Sequence, residues 1–195
     1  MGKKVTFPSE NITIDLKDHV LAAFLAWLIP GLGHLYQGRR AKAGLFFVMI
    51  MGTFLYGLYL GGSSEVGWGR VVYASWSPEW RLYYIGQVGV GLPALPALVQ
   101  AKIVRSGGKP HLNGFMAPPR SENTPGEEPT LNDLHKKLNR FFELGTVYTM
   151  IAGLLNVLVI YDAWGGPVFL IPARKEDEPD AKPESDAAKS PDKPE

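Results

Sequence analysis

The sequence predicts an all-α, polytopic membrane protein with about four transmembrane helices. Apolar residues gather into about four blocks, each close to the roughly 20 residues that a helix needs to cross a bilayer. Charged residues lie between these blocks and in a carboxyl-terminal tail, although the 46% hydrophobic content of the 195 residues is ordinary on average. A Gly-rich turn with a basic end, residues 30–40, separates the first two blocks, which is typical of a membrane hairpin.

Composition argues against several classes of function. A formal net charge of +1 gives no electrostatic footprint for nucleic acid. The lack of cysteine excludes disulfides, thiolate metal sites and cysteine nucleophiles. The 4 histidines show no metal-ligand spacing, and no Ser-His-Asp or His-Glu-x-x-His arrangement can be placed on a scaffold. We therefore expect no catalytic residue, no metal and no cofactor.

Residues 1–15 are predicted to form an extramembrane arm, and residues 16–172 to form the helical membrane domain. The arm is polar and mildly β-prone around Val5 and Ile12. A first span is predicted at 18–36, with an acidic cap at its start. It has no cleavage site, so we expect it to remain in the mature protein. Pro30 weakens this helix, which leaves two models: a kinked full span, which is preferred, and a re-entrant segment.

Three further spans are predicted, at 44–62, 81–104 and 142–164. The third is predicted to begin at a Ser77-Pro78-Glu79 helix start and to be bent by its glycines and prolines. Small and polar residues form one stripe on each of the other two spans, as in closely packed membrane helices. These predicted packing residues are Thr53, Gly57 and Gly61, and Gly145, Thr149, Gly153 and Asn156.

Two other segments complete the predicted organisation. Thr130 and Asp133 have capping-box spacing at the start of an amphipathic helix, 130–141, whose apolar face is expected to lie on the membrane surface. Residues 173–195 are rich in Lys, Glu, Asp and Pro and are expected to be disordered. In the four-span model, the basic hairpin turn and the basic third loop share a side, which the positive-inside rule makes cytoplasmic.

The turn carries a resemblance to a known family. Pro30-Gly31-Leu32-Gly33-His34-Leu35-Tyr36-Gln37-Gly38-Arg39-Arg40, followed by Gly44, resembles the helical hairpin of the two-transmembrane-helix (TM2-like) superfamily and of related uncharacterised bacterial membrane families. The similar region covers about residues 21–62. The resemblance implies a multi-pass protein of the cell membrane, in bacteria the inner membrane. Because His34 is followed by Leu35 and Tyr36 rather than by an Arg-aromatic pair, it implies no receptor-coupling function.

The motif has a structural interpretation and two rivals. In the structural one, the glycines allow sharp turns, His34 and Tyr36 satisfy freed carbonyls, and Arg39 and Arg40 reach lipid phosphates. The rivals are a ligand or metal role for His34 and a phosphate-binding Gly loop. Likewise, Gln87 and Asn156 within the predicted spans either form interhelical hydrogen bonds or mark a transport path.

The sequence therefore favours a non-enzymatic membrane protein that acts as a structural, scaffolding or partner-organising unit. Its expected partners are the lipid bilayer and a membrane protein or second copy of the chain, with no nucleic acid. The alternative is a subunit of an oligomeric transporter or channel. A membrane enzyme that uses His34 is a third hypothesis.

Overall fold

The computed structural model describes residues 3–7, 12–16, 18–75 and 81–166. Residues 173–195, predicted to be disordered, and the predicted helix start at 77–79 lie outside the described residues. The β-prone arm contains a two-stranded antiparallel hairpin, β1 (Lys3–Phe7) and β2 (Ile12–Leu16), with Val5 opposite Ile14. The rest of the described chain consists of helices and irregular segments. The helices are α1 (His19–Leu28), α2 (Leu32–Tyr36), α3 (Arg40–Leu60), α4 (Tyr83–Gln87), α5 (Pro96–Arg105), α6 (Leu131–Leu138) and α7 (Arg140–Gly165), with 3-10 turns at Val88–Val90, Leu92–Ala94 and Leu112–Gly114.

Two long helices, α3 and α7, form the frame of the molecule. Among the described residues, they are the two helices that are long and apolar enough to cross a membrane. At 1.5 Å per residue they are about 31 and 39 Å long, against the roughly 30 Å of a bilayer's hydrocarbon core. They correspond to the spans predicted at 44–62 and 142–164.

The two long helices are antiparallel. Gly57, near the end of α3, packs against Gly145 and Thr149, near the start of α7. At the other end, Arg39 just before α3 contacts Asp162 near the end of α7. We call these the Gly145 end and the Asp162 end of the helix pair.

The segment predicted as the first span, 18–36, does not form one helix. The ring of His19 lies beside Trp164 at the Asp162 end, and α1 runs from there to the middle of α7, where Asn156 contacts the Ala26 carbonyl. The chain then reverses, and α2 brings His34 back to Asp162. The reversal follows from Pro30, which cannot donate a helical hydrogen bond, and Gly31, which has a φ of 83°.

The segment predicted as the third span, 81–104, is broken in the same way from the opposite end. Arg81 lies beside Thr146 at the Gly145 end, and Gly89 packs against Gly153 near the midpoint of α7. Gly91, with a φ of 88°, then turns the chain. The Tyr84 hydroxyl donates to the Ala94 carbonyl at 3.0 Å, so the chain has reversed within ten residues. After this turn, α5 leads away to the loops of the Gly145 end.

The structure therefore shows two candidate membrane helices and two segments that run partway along them and turn back; four spans are not shown. By their shape, we call these two the re-entrant segments. The segments enter from opposite ends and meet where Gly91 packs against the Trp27 carbonyl. The first and third predicted spans are broken because their Pro and Gly residues reverse the chain instead of bending it, which for the first segment is the alternative to a kinked full span. In the structure, two spans no longer separate the basic turn from the basic third loop: Arg39 lies at the Asp162 end, and Lys137 contacts Glu65 at the Gly145 end. The prediction that they share a side does not hold.

The amphipathic helix begins as predicted, since Thr130 and Asp133 form a capping box at the start of α6. Its apolar face, however, packs into the protein. Leu134 and Leu138 are buried in the protein core with Phe142 at the start of α7, rather than exposed to a membrane surface. The core extends from there between α3 and α7, where Ile50 and Phe54 are almost fully buried.

Candidate functional site

A charged cluster at the Asp162 end joins the Pro30–Arg40 motif to α7. Because α1 and α2 run in opposite directions around this motif, we call it the hairpin; it is distinct from the β1–β2 pair. His34 Nε2 lies 2.6 Å from Asp162 Oδ2. Arg39 Nη2 lies 3.2 Å from the same oxygen, and Lys42 Nζ lies 3.5 Å from it. Three basic side chains from the hairpin and α3 therefore converge on one carboxylate oxygen of α7.

The glycines of the motif make this convergence possible. A Cβ at Gly33 would collide with the Ala22 carbonyl of α1, and a Cβ at Gly31 would collide with the Ala43 carbonyl of α3. Because both positions lack a side chain, α2 lies in direct backbone contact with α1 and α3. This packing buries His34 completely and sets its ring edge-on to Phe46, with the centroids 5.0 Å apart.

The hairpin also caps the end of α7. Gln37 Nε2 donates to the Ala163 carbonyl at 2.6 Å, one of the last four carbonyls of the helix, which have no partner within it. Arg39 also donates to Gln37 Oε1 at 3.4 Å, so the two capping side chains support each other. The positive charges of Arg39 and Lys42 lie near the negative end of the α7 dipole, which is a favourable arrangement.

The structure places the remaining motif residues in different surroundings. Arg39, predicted to reach lipid phosphates, donates to Asp162 Oδ2 within the protein. Arg40 is exposed at the first position of α3, and Tyr36 is partly buried at the last position of α2. Gly38 has a φ of 83° and turns the chain toward α3. Pro30 is buried, whereas Gly44 lies on the open surface of α3.

A second polar site lies where the two re-entrant segments meet. Asn156 is fully buried, and its Nδ2 donates to the Ala26 carbonyl at 3.1 Å and to the Gly89 carbonyl at 2.9 Å. One amide thus holds both segments on α7. Gln87, also fully buried, donates to Thr149 Oγ1 at 2.8 Å and to the Val71 carbonyl at 3.1 Å. Within the described part of the chain, Asn156 Oδ1 and Gln87 Oε1 have no hydrogen-bond partner.

The predicted small-residue stripes lie at close contacts between backbones. Gly57 and Gly145 face each other, and a Cβ on Gly145 would lie 2.6 Å from the Gly57 carbonyl oxygen. Gly61 packs against Val71, and Gly153 packs against Gly86 and Gly89. Thr53 differs, because its hydroxyl donates to the Met49 carbonyl of its own helix at 2.7 Å.

Sequence reasoning missed the polar core of the loops at the Gly145 end. Arg70 is 3% exposed and donates to Glu128 Oε2 at 2.7 Å and to the Val66 carbonyl at 2.9 Å. Gly114 lies directly on the guanidinium. We call these loops, residues 62–75 and 106–130, the loop cap. No local pattern predicts an ion pair between loops this far apart in the sequence.

Asp162 was also missed, although a signal was present. An acidic residue within an otherwise apolar helix is expensive unless it has a partner, and so marks a site. Asp162 lies only two residues before the end of the predicted span 142–164, a position that suggests exposure at the membrane interface; in the structure it contacts His34 and Arg39 instead. The described residues contain no group of three or more His, Asp or Glu side chains that could hold a metal ion. The cluster can therefore act by hydrogen bonding and charge, as a clasp between the hairpin and α7.

Fold and site together define a small helical protein with two candidate membrane helices, two re-entrant segments packed on them and a charged clasp at one end. The chain belongs to DUF6677, a family of unknown function whose model matches residues 21–176. No curated protein and no solved structure matches the chain. The prediction of an uncharacterised family is confirmed. The narrower resemblance to the TM2-like superfamily and the bacterial origin stay predictions.

Proposed function

We propose that this chain is a multi-pass protein of the cell membrane that works without catalysis, as a structural unit that organises other membrane components. One observation carries the membrane location: the outer surfaces of α3 and α7 are apolar and exposed. In their most apolar stretches, 28% and 39% of the residues are buried. A core helix of a soluble protein is mostly buried, and soluble monomers rarely expose continuous apolar surface of this extent.

Aromatic residues at the two ends of α7 support this location. Phe141 and Trp164 are both exposed, at 50% and 56%. They are separated by about 34 Å along the helix axis at 1.5 Å per residue, close to the thickness of the hydrocarbon core. Tryptophan favours the headgroup layer because its ring is amphipathic, so Trp164 suits the interface at the Asp162 end. Arg140 then lies in the polar layer at the Gly145 end.

The organising role rests on the loop cap. The Arg70–Glu128 contact fixes two loops against each other outside the predicted membrane core. The cap exposes side chains of both charges, among them Lys109, Glu122 and Glu127. A charged surface held next to the bilayer suits contact with another membrane protein or a second copy of the chain.

Site-specific photo-crosslinking in intact cells tests this proposal. A crosslinker at Glu127, on the exposed cap, should give a discrete protein adduct. A matched crosslinker at Val48, which is 66% exposed on α3, should give lipid adducts. The chain should also remain in the membrane fraction after alkaline extraction. Extraction into the soluble fraction, or a solitary monomer with measurable substrate flux, would contradict the proposal.

A second candidate is a subunit of an oligomeric transporter or channel. The observation that favours it is the meeting of two broken segments near the midpoint of α7. They lie beside the side-chain oxygens of Gln87 and Asn156, which have no hydrogen-bond partner among the described residues. In many transporters, interrupted helices form the substrate or ion site at this depth. Flux through reconstituted protein should then fall in Asn156→Leu and Gln87→Leu but persist in Thr53→Val. Equal flux in all three variants would remove this candidate.

A further inference from the structure

A cleft lies beside α4, away from the charged cluster at Asp162 and from the loop cap. Its volume is about 210 Å³, and its walls are almost entirely apolar: Leu82, Tyr84, Ile85, Val88 and Leu98, with Ser75 and Arg81. This is smaller than the roughly 300 Å³ at which sites for whole small molecules begin. The cleft therefore suits a segment of an apolar chain.

The cleft runs along the depth of the proposed membrane. Arg81 lies at the Gly145 end, where its Nη2 is 3.2 Å from Thr146 Oγ1 in the second turn of α7. Val88 lies deeper, since the adjoining Gly89 packs against Gly153 near the midpoint of α7. Leu82 and Ile85 on its wall are 68% and 65% exposed, on the outer surface. An acyl chain entering from the headgroup layer would follow the same direction.

Arg81 supplies a positive charge at the shallow end of the cleft. Its guanidinium donates to the Tyr73 hydroxyl at 2.5 Å and to the Val71 carbonyl at 3.0 Å, and it lies 3.8 Å from the centre of the Tyr73 ring. These partners, like Thr146, are all neutral. No carboxylate of the described residues lies within the 4.0 Å that defines an ion pair with Arg81. The nearest charge of opposite sign among the described residues is the exposed carboxylate of Glu143, which acts on Arg81 from beyond ion-pair distance. Burying most of a cation is costly, and an external anion in direct contact with the guanidinium would offset that cost.

We propose that this cleft binds an anionic phospholipid, with the phosphate near Arg81 and one acyl chain along Ile85 and Val88. The charge complements the headgroup, and the apolar walls complement the chain. The inference rests on the proposed membrane location and names the bilayer component that the protein holds. The cleft takes a lipid rather than a free phosphate, because most of its surface is apolar.

Native mass spectrometry of the full chain in mild detergent tests the proposal. The probes are phosphatidylglycerol and phosphatidylcholine with identical acyl chains. Wild-type protein should retain phosphatidylglycerol about fivefold better, the factor that one basic side chain contributes at an anionic surface. Arg81→Gln should bring that ratio close to one. The matched control is Arg140→Gln, which removes an exposed charge at the same end and should leave the ratio unchanged.

Two further variants separate lipid binding from folding. Arg81→Lys keeps the charge and should keep the preference for phosphatidylglycerol. Val88→Phe fills the deep part of the cleft and should lower retention of both lipids. An unchanged ratio in Arg81→Gln, an equal loss in Arg140→Gln, or full displacement by inorganic phosphate would each overturn the inference. If alkaline extraction releases the protein from membranes, the membrane proposal itself fails; loss of lipid preference alone leaves it intact.

Discussion

Gly57→Ala tests the contact that sets the distance between α3 and α7. A Cβ at this position would lie 2.7 Å from Thr149 Cγ2 and 2.9 Å from the Gly145 carbonyl oxygen. One of these neighbours is backbone, so the helices must separate to admit the methyl group. Overpacking of this kind costs about 1–3 kcal/mol. For a chain of this size we expect the melting temperature to fall by about 2–12 °C.

The matched control for this change is Gly52→Ala on the same helix. A Cβ at Gly52 meets nothing within 4 Å, and alanine is the better helix former by up to about 1 kcal/mol. We therefore expect the Gly52→Ala protein to be at least as stable as wild type. The assay is thermal unfolding in detergent, followed by circular dichroism. If the two variants melt at the same temperature, the backbone contact between α3 and α7 is not what holds the helices together.

Three further changes test the clasp at Asp162, the Asn156 amide that holds both re-entrant segments, and the capping box at the start of α6. Asp162→Asn should destabilise the protein by about 1–2 kcal/mol in thermal unfolding. Glu143→Gln on the same helix removes an exposed contact with His135 and should change stability by less than about 0.5 kcal/mol, since exposed ion pairs contribute little. Asn156→Leu leaves two buried carbonyls unpaired and should cost about 1–2 kcal/mol in the same assay. Hydrogen bonds from Thr130 hold the pKa of Asp133 below its ordinary value of 3.8, so its contribution is complete above that pH and is lost on further acidification. Asp133→Asn should remove that part of the acid dependence.

Each of these three predictions has a result that would contradict it. Equal melting temperatures for Asp162→Asn and Glu143→Gln would show that the charged cluster does not hold the hairpin on α7. A fully stable Asn156→Leu protein would mean that the re-entrant segments are held by packing alone. An unchanged acid titration in Asp133→Asn would assign the acid sensitivity to other carboxylates.

The parts of the fold that sequence predicts well are those fixed by local pattern. Continuous apolar runs place α3 and α7 within a few residues of their observed bounds. The Thr130 and Asp133 spacing gives the start of α6, because both halves of a capping box lie within four residues. In each case the decisive interactions are made by residues close together in the sequence.

The re-entrant segments depend instead on contacts between distant residues. Pro30 and Gly91 mark the breaks, but a break is compatible with a bend or with a reversal. The reversal is stabilised by Asn156, which pairs with carbonyls 130 and 67 positions away. The clasp between His34 and Asp162 spans 128 positions. Sequence pattern shows that each residue is polar and flanked by apolar neighbours, but not which partner it meets.

Cysteine accessibility distinguishes two crossings of the membrane from four, and the chain contains no cysteine of its own to interfere. Single cysteines at the exposed positions His19, Gly38, Ser64 and Ser106 are labelled in sealed vesicles with an impermeant maleimide. Two helices with two re-entrant segments predict that positions 19 and 38 react from one side and positions 64 and 106 from the other. If positions 19 and 64 instead share a side, opposite to positions 38 and 106, the chain crosses the membrane four times and the arrangement of two helices with two re-entrant segments is wrong.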